Sequence, residues 1–184
     1  MHSWIFGFLA LATLVGQYPW QEFTDYEGRF RVLVPQAMEK KENPIETAVG
    51  TLTYHRFYYQ PTEKDPDNLL YLLSYCDYPA GAMHSDSTAL LEAFFETTVR
   101  GSLASVKGDL LYANDIVEQG FPGKLWRLVY QDGEASIKTK ALMVGQRFYL
   151  IQAVGARAKG LNPAVDRYLD SFRLTTAPLD SVGE

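Results

Sequence analysis

The stretch LLYLLSYCDY, residues 69–78, decides the fold because it has the composition of a strand that is apolar on both faces. Successive side chains of a strand point to opposite sides of a sheet. One face therefore carries Leu69, Tyr71, Leu73 and Tyr75, and the other carries Leu70, Leu72, Ser74 and Cys76. Residues 147–154, RFYLIQAV, repeat this pattern. A sheet that is apolar on both faces must be covered on both, so the sequence predicts a layer on each side.

The rest of the chain predicts two helices and further strands. Apolar residues recur at helical spacing over residues 85–106, with Ser85 or Asp86 as the cap, and Asn162–Pro163 is typical of a helix start. The sequence GFPG, residues 120–123, predicts a turn. Period-two stretches with short connections predict antiparallel strands over residues 22–25, 29–34, 37–47, 51–59, 109–118, 124–131 and 135–144. The predicted fold class is α+β, an α/β/α sandwich with a central antiparallel sheet.

The first residues predict export. Trp4–Val15 is an apolar run that is too short for a bilayer, which needs about 20 residues, and it fits the apolar core of a signal peptide. We expect a signal peptide over residues 1–16, a single domain over 17–174 and a flexible tail over 175–184, in a periplasmic or secreted protein. The residues before Trp4 include no lysine or arginine, which argues against a signal. The alternative is that the run is the first element of the domain.

Composition indicates one globular domain and excludes several classes of partner. The chain has 184 residues, of which 47% are hydrophobic and 21% charged, and its net charge is −5. A chain of this length can bury a core without metal or disulfide staples. An acidic chain with no lysine or arginine run repels phosphate backbones and anionic lipid surfaces. We therefore expect no nucleic-acid partner and no membrane span in the mature chain.

Four stretches resemble the PsbP-like family, which includes the extrinsic photosystem II subunit and small exported bacterial proteins of unknown role. They are YEGRFRVLVP (26–35), GFPGKLWRL (120–128), MVGQRFYLIQAVG (143–155) and YLDSFRL (168–174). The resemblance extends from about residue 23 to residue 174, and its motifs concern packing and turns. It implies an α/β/α sandwich without known catalysis and a binding or assembly-accessory role. No position matches a functional motif of the family, so no residue takes a role from it.

Tyrosines provide the candidate binding residues. Arg56, Tyr58, Tyr71 and Tyr75 lie on two predicted strands that are rich in tyrosine. Tyrosine supplies rigid contact area with a polar tip, as binding sites require. We predict that these four residues line a groove for a ligand or partner. The alternative is that the tyrosines form cross-strand pairs that stabilise the sheet.

Motifs typical of catalysis, cofactor binding or metal binding are not found in the sequence, so we expect no catalytic residue, cofactor or metal. If the protein is an enzyme of an unfamiliar kind, its base would be His55 or a buried carboxylate such as Asp77 or Asp115. We expect Cys76, which lies among leucines, to be inert. Surface ion pairs are expected, with an anion-attracting patch as the alternative, for Arg127, Lys138, Lys140 and Arg147.

Together these features favour an exported, non-enzymatic domain that binds a protein or a small molecule or assists assembly. Two alternatives stay open. One is an enzyme of unrecognised type that uses His55 or a buried carboxylate. The other is an intracellular partner-docking protein whose N-terminus is uncleaved.

Overall fold

A computed structural model describes residues 19–159 and 162–175 of the chain. Within these residues the chain forms ten strands, two α-helices and one short 3-10 helix. In chain order they are β1 (Gln21–Asp25), β2 (Phe30–Val34), β3 (Glu39–Thr47), β4 (Gly50–Tyr59), β5 (Leu70–Asp77), α1 (Thr88–Val106), β6 (Asp109–Glu118), β7 (Phe121–Tyr130), β8 (Ala135–Val144), β9 (Arg147–Ala156), the 3-10 helix (Arg157–Lys159), α2 (Pro163–Asp170) and β10 (Arg173–Leu174).

The strands form two antiparallel sheets. The larger has the order β3-β4-β5-β9-β8-β7-β6, and the smaller has the order β1-β2-β10. Strands β5 and β9 lie side by side in the middle of the larger sheet, with Tyr75 opposite Tyr149 and Asp77 opposite Arg147. The two strands that are apolar on both faces are therefore the central pair, where both faces are buried.

Helix α1 covers one face of the larger sheet. Its buried residues Leu91, Phe95 and Val99 pack in a cluster with Trp126 and Phe148. Burial of each large apolar side chain stabilises the fold by roughly 1.5–3 kcal/mol relative to exposure. The helix ends where Lys107, which is followed by Gly108, adopts a left-handed conformation with φ 52°.

The β1–β2 hairpin and helix α2 together cover the opposite face. Phe30 of the hairpin is fully buried, lies 5.4 Å from the ring of Phe57 and stacks on Phe172 at 6.0 Å. The side chain of Asn162 accepts hydrogen bonds from the first turn of α2, so the predicted start of this helix is confirmed. The α+β class with a sheet between two covering layers is also confirmed. The second layer additionally contains the small sheet.

The turn predicted at residues 120–123 lies earlier in the structure. Gln119 and Gly120 have φ of 53° and 84°, and the strand begins at Phe121. Positive φ at both central residues is the requirement of a two-residue hairpin turn, so no further residues are needed to reverse the chain. Pro122 pairs with Val117 of β6, whereas the pairing of β7 with β8 begins one residue later. The missing N–H of Pro122 therefore leaves the β7–β8 ladder intact.

Helix α1 begins at Thr88, three residues later than predicted. Ser87 is its cap residue, and its side chain makes no capping hydrogen bond. The N–H of Ser85 instead donates to the carbonyl of Gly145, in the β8–β9 turn, at 2.9 Å. This contact holds the segment before α1 against the end of the sheet.

The predicted signal peptide at residues 1–16 lies outside the described residues, as does the predicted tail beyond Thr175. Among residues 19–159 and 162–175, no helix is long and apolar enough to cross a membrane.

Candidate functional site

Arg147, the first residue of β9, organises one end of the larger sheet. Its Nε and Nη2 each donate a hydrogen bond of 2.6 Å to the carboxylate of Asp77, the last residue of β5. Its Nη1 donates to the carbonyl of Glu27 at 2.6 Å, and its guanidinium lies 4.6 Å from the ring centre of Tyr75. The bonds to Asp77 are the main reason that the pKa of Arg147 is raised. Arg147 thus ties the β1–β2 turn to the sheet.

On one side of Arg147 is the His55 cluster, which we define as Glu27, Lys40, Glu42 and His55. The Lys40 ammonium lies 3.1 Å from Glu27 and 3.3 Å from Glu42. His55 Nδ1 lies 3.2 Å from Glu42, and the imidazole stacks on Tyr75 with ring centres 4.5 Å apart. Ligand atoms of the two carboxylates and His55 come within 4.8 Å of one another, as a metal site requires. Lys40 lies within 3.3 Å of both carboxylates, so each carboxylate of the cluster already has a cation of the protein beside it.

On the other side is the Arg29 cleft, an open cleft of about 820 Å³. Three segments meet there: the β1–β2 turn, the stretch from β5 to α1, and the β8–β9 turn, with β7 and the end of β10 completing the wall. Its polar lining is Arg29, Asp77, His84, Gln146, Arg147 and Thr175, and its apolar lining includes Phe121, Val144 and Leu174. A volume in this range is typical of small-molecule sites.

Arg29 is the feature that distinguishes the cleft. It is exposed, and within the described ranges no carboxylate lies at ion-pair distance from it. It has a φ of 55°, a conformation that side chains other than glycine adopt at a cost. Its carbonyl accepts a hydrogen bond from the N–H of Thr175 at 2.9 Å. The Thr175 hydroxyl is itself buried without a hydrogen-bond partner in the described structure.

The four predicted binding residues do not share one groove. Arg56 and Tyr58 are partly buried on the α1 side of β4, and the hydroxyl of Tyr58 donates to Glu39 at 2.5 Å. Tyr71 and Tyr75 lie on the opposite face, with 3% and 1% of their surface exposed. Burial raises the pKa of Tyr71 to about 12, and its hydroxyl accepts a hydrogen bond from Asn68. Whether any of the four contacts a ligand stays a prediction.

The carboxylates considered as buried bases are not buried. The side chains of Asp77 and Asp115 are 55% and 85% exposed and pair with Arg147 and Lys124. Asp77 is exposed because it is the last residue of β5, and Asp115 because it lies on the edge strand β6. The apolar residues around them in the sequence did not indicate this exposure. Cys76 is fully buried, and burial raises the pKa of its thiol to about 11. It lies in the α1 core, whereas His55 stacks on the opposite face of the sheet.

Of the four cations expected in surface ion pairs, three lie together on the α2 face of β7 and β8, because Lys138 is directly opposite Arg127 and two residues before Lys140. Lys138 pairs with Asp166, and Lys140 pairs with Glu118 at 2.7 Å. Arg127 is 8% exposed and donates to the hydroxyl of Ser136. Of the four, only Arg147 lines the Arg29 cleft.

Sequence reasoning missed Arg29 and His84 as cleft residues. The available signal was the turn Glu27-Gly28 with an arginine directly after it, since loop residues on a rigid scaffold often carry function. That turn meets residues 84 and 145–147 only in the folded chain. Their proximity could not be predicted from neighbouring residues in the sequence.

No family model matches the sequence, and no curated protein matches it either. Among solved structures, the chain is similar to the solution structure of cyanobacterial PsbP (CyanoP) from Synechocystis sp. PCC 6803, with a TM-score of 0.51 and 17% identity. The alignment covers 90% of this chain and 98% of the other. The fold is PsbP-like. The likeness at this identity concerns the fold alone.

Proposed function

We propose that this PsbP-like domain is an exported, non-enzymatic binding or assembly-accessory module that holds its ligand or partner in the Arg29 cleft. The observation that carries the proposal is the exposed guanidinium of Arg29, which faces an open cleft and has no counter-charge among the described residues. Charged groups that stay unpaired beside a concave, partly apolar surface are typical of binding sites.

The surroundings of the other reactive groups support binding rather than catalysis. His55 is held between Glu42 and the ring of Tyr75. Asp77 is occupied by two hydrogen bonds from Arg147. Cys76 is buried with a raised pKa, which disfavours the reactive thiolate. Each of these groups has a structural role that explains its position.

The predicted binding residues enter this proposal in two ways. Tyr75 acts from below the cleft, because its ring supports the guanidinium of Arg147. Tyr71 packs deeper in the same layer, edge-on to Tyr168 at 5.1 Å. Arg56 and Tyr58 lie on the α1 side of β4, where they offer contact area to a protein partner too large for the cleft alone.

Export rests on the apolar run at Trp4–Val15, and the PsbP-like fold supports an accessory role through the resemblance described above. The test is native mass spectrometry of the protein isolated from its own host. We expect a chain that begins near Gln17 and carries a bound adduct. An intact Met1 would favour the intracellular docking alternative instead.

A matched pair of variants tests the binding site. We expect Arg29→Gln to remove the adduct and Arg31→Gln to retain it, because Arg31 lies on the same hairpin but pairs with Glu22 at 3.2 Å outside the cleft. An adduct retained by both variants places binding elsewhere. A turnover activity abolished by His55→Gln in a folded protein would overturn the non-enzymatic proposal.

A further inference from the structure

The charges that line the Arg29 cleft define the charge of the ligand it fits. Arg29 and Arg147 are positive, and Asp77 is negative, which leaves a net charge of +1. Arg147 is already neutralised by two hydrogen bonds to Asp77, so Arg29 provides the uncompensated charge. A carboxylate carries one negative charge, whereas a phosphate monoester carries about 1.5 to 2 at neutral pH. The cleft therefore favours a monoanion.

Hydrogen-bond donors are available to orient such an anion. An arginine has five N–H donors in a planar fork that matches a carboxylate, and all five are free on Arg29 among the described residues. His84 Nδ1 accepts a hydrogen bond from the backbone N–H of Asp86 at 3.2 Å and lies 3.4 Å from the carboxylate of the same residue. Nε2 lies 3.9 Å from the position that a Cβ on Gly145 would occupy, at the cleft.

The remaining wall of the cleft is apolar. Phe121, Val144 and Leu174 lie beside the charged groups, and the ring of Tyr149 continues this surface. The hydroxyl of Tyr149 already donates a hydrogen bond to the carbonyl of Gly28 at 2.6 Å, so Tyr149 offers a ligand only its ring. A ligand with a carboxylate at one end and an apolar body would match both parts of the lining.

We propose that the Arg29 cleft binds a small amphiphilic monocarboxylate, whose carboxylate is held by Arg29 beside His84 and whose apolar body lies on Phe121, Val144 and Leu174. This inference deepens the proposed function and rests on it. It names the chemical class of the ligand, which the function as proposed leaves open.

The test uses defined probes and the full chain. Sodium 4-phenylbutyrate, its neutral counterpart 4-phenylbutyramide and inorganic phosphate are each titrated into ¹⁵N-labelled protein, and amide chemical shifts are followed. We expect 4-phenylbutyrate to produce saturable shifts at Gly145, Gln146 and Thr175. The amide should bind at least about tenfold more weakly, because it lacks the charge that Arg29 complements.

Variants make the result specific. We expect Arg29→Gln to weaken 4-phenylbutyrate binding by about tenfold while preserving the dispersed spectrum of a folded protein, and Arg31→Gln to leave binding unchanged. The segment after Thr175 carries Asp180 and Glu184, whose carboxylates have the same chemistry as that of the probe. The titrations are therefore repeated with Asp180→Asn and Glu184→Gln combined in the full chain.

Three results would overturn the inference: equal binding of the acid and the amide, tighter binding of phosphate than of 4-phenylbutyrate, or no saturable shift in either the natural chain or the tail variant. If the carboxylate fails while the host-derived adduct still depends on Arg29, the chemical class is wrong and the binding function stands. If that adduct is independent of Arg29, the proposed function itself fails.

Discussion

The His55 cluster and the Arg29 cleft lie on opposite sides of Arg147, and the same β1–β2 turn contributes to both through Glu27 and Arg29. In the cluster Lys40 lies within 3.3 Å of both Glu27 and Glu42, so each carboxylate has a cation of the protein beside it. In the cleft the charge of Arg29 has no such neighbour among the described residues. Two neighbouring polar regions of similar composition thus differ in whether their charges are satisfied internally.

That difference separates a structural role from a binding role. A paired group contributes to the stability of the fold, and its removal should reduce stability. A residue kept unpaired in an unfavourable backbone conformation contributes little to stability, so its presence requires another explanation. Stability measurements on single variants can therefore distinguish the two regions, and the variants below are arranged from the largest expected effect to the smallest.

Gly28→Ala should have the largest effect, because it disrupts the turn that both regions share. A Cβ on Gly28 would lie 2.6 Å from ring atoms of Phe30 and Tyr75 and 2.8 Å from the carboxylate of Asp25. Both rings are buried and cannot move aside, so we expect a loss of about 2–3 kcal/mol in the free energy of unfolding. Urea denaturation measures it.

Gly101→Ala is the matched control for that substitution. Gly101 lies within α1, and a Cβ there meets no atom within 4 Å. Alanine is favoured over glycine in a helix, so stability should rise by about 0.5–1 kcal/mol. Equal effects of the two substitutions would contradict the close packing under the turn.

Arg147→Met should have the next largest effect, since it removes the residue that separates the two regions and fastens the turn. Methionine replaces the aliphatic part of the arginine side chain but lacks the guanidinium, so the variant loses three hydrogen bonds to Asp77 and Glu27. Asp77 is more than half exposed and stays hydrated, so we expect a loss of about 1–2 kcal/mol rather than the penalty of a buried charge. Thermal and urea unfolding measure this loss.

Two further variants test whether Arg147 stabilises the turn through its charge or through the geometry of its guanidinium. Lys138→Met removes a cation that forms a single pair with Asp166, and its cost should stay below about 1 kcal/mol. Arg147→Lys should restore only part of the stability, because an ammonium cannot reproduce the planar fork. Full restoration by lysine would show that charge alone, without the fork geometry, fastens the turn.

The sequence was sufficient to predict the central strands and their two covering layers. Residues 69–78 and 147–154 are apolar on both faces, and burial on both sides of a sheet is the arrangement that satisfies such a pattern. The start of α2 was also predictable, because the capping hydrogen bonds of Asn162 come from the N–H groups of Ala164 and Val165, two and three residues later. Strands and helix starts can be predicted from the sequence when the residues that determine them are close together in it.

The Arg29 cleft was not predictable in the same way. Arg29, His84 and Arg147 are separated by more than 50 residues each, and only the pairing of β5 with β9 and the position of the hairpin bring them together. Tyr58 and Tyr75 lie on opposite faces because β4 pairs with β5 in a register that sets Tyr58 opposite Leu72, and a tyrosine-rich pair of strands gave no sign of that register or of which face stays open. Exposure depends on the covering layers, and their positions follow from tertiary packing.

Arg29→Gly should have a smaller effect of the opposite sign. Glycine adopts the φ of 55° without the steric cost that arginine has, although it loses more conformational freedom on folding. We expect stability to rise by up to about 1 kcal/mol while binding in the cleft is lost. Urea denaturation and the 4-phenylbutyrate titration measure the two effects on the same sample.

Lys107→Gly is the control for Arg29→Gly, because Lys107 has a nearly identical φ of 52° at the end of α1, outside the cleft. It should raise stability by a similar amount and leave binding unchanged. A loss of stability with Arg29→Gly would mean that Arg29 has structural contacts, and the contrast with the His55 cluster would then disappear.

Glu42→Gln should have the smallest effect, and its pH dependence identifies the cause. The hydrogen bond from Lys40, followed by the nearby charge of His55, holds the pKa of Glu42 below its ordinary value of 4.5. A lowered pKa means that the ionised carboxylate stabilises the fold at pH values above 4.5, and that this stabilisation is lost as the pH falls through the lowered pKa. The natural protein should therefore be slightly more stable than Glu42→Gln at pH 7, with the difference vanishing in acid. Because the pair is exposed, added salt should also reduce the difference. A difference that persists at low pH, or that salt does not change, would mean that Glu42 acts through packing, and the cluster could no longer be described as a set of charges satisfied by one another.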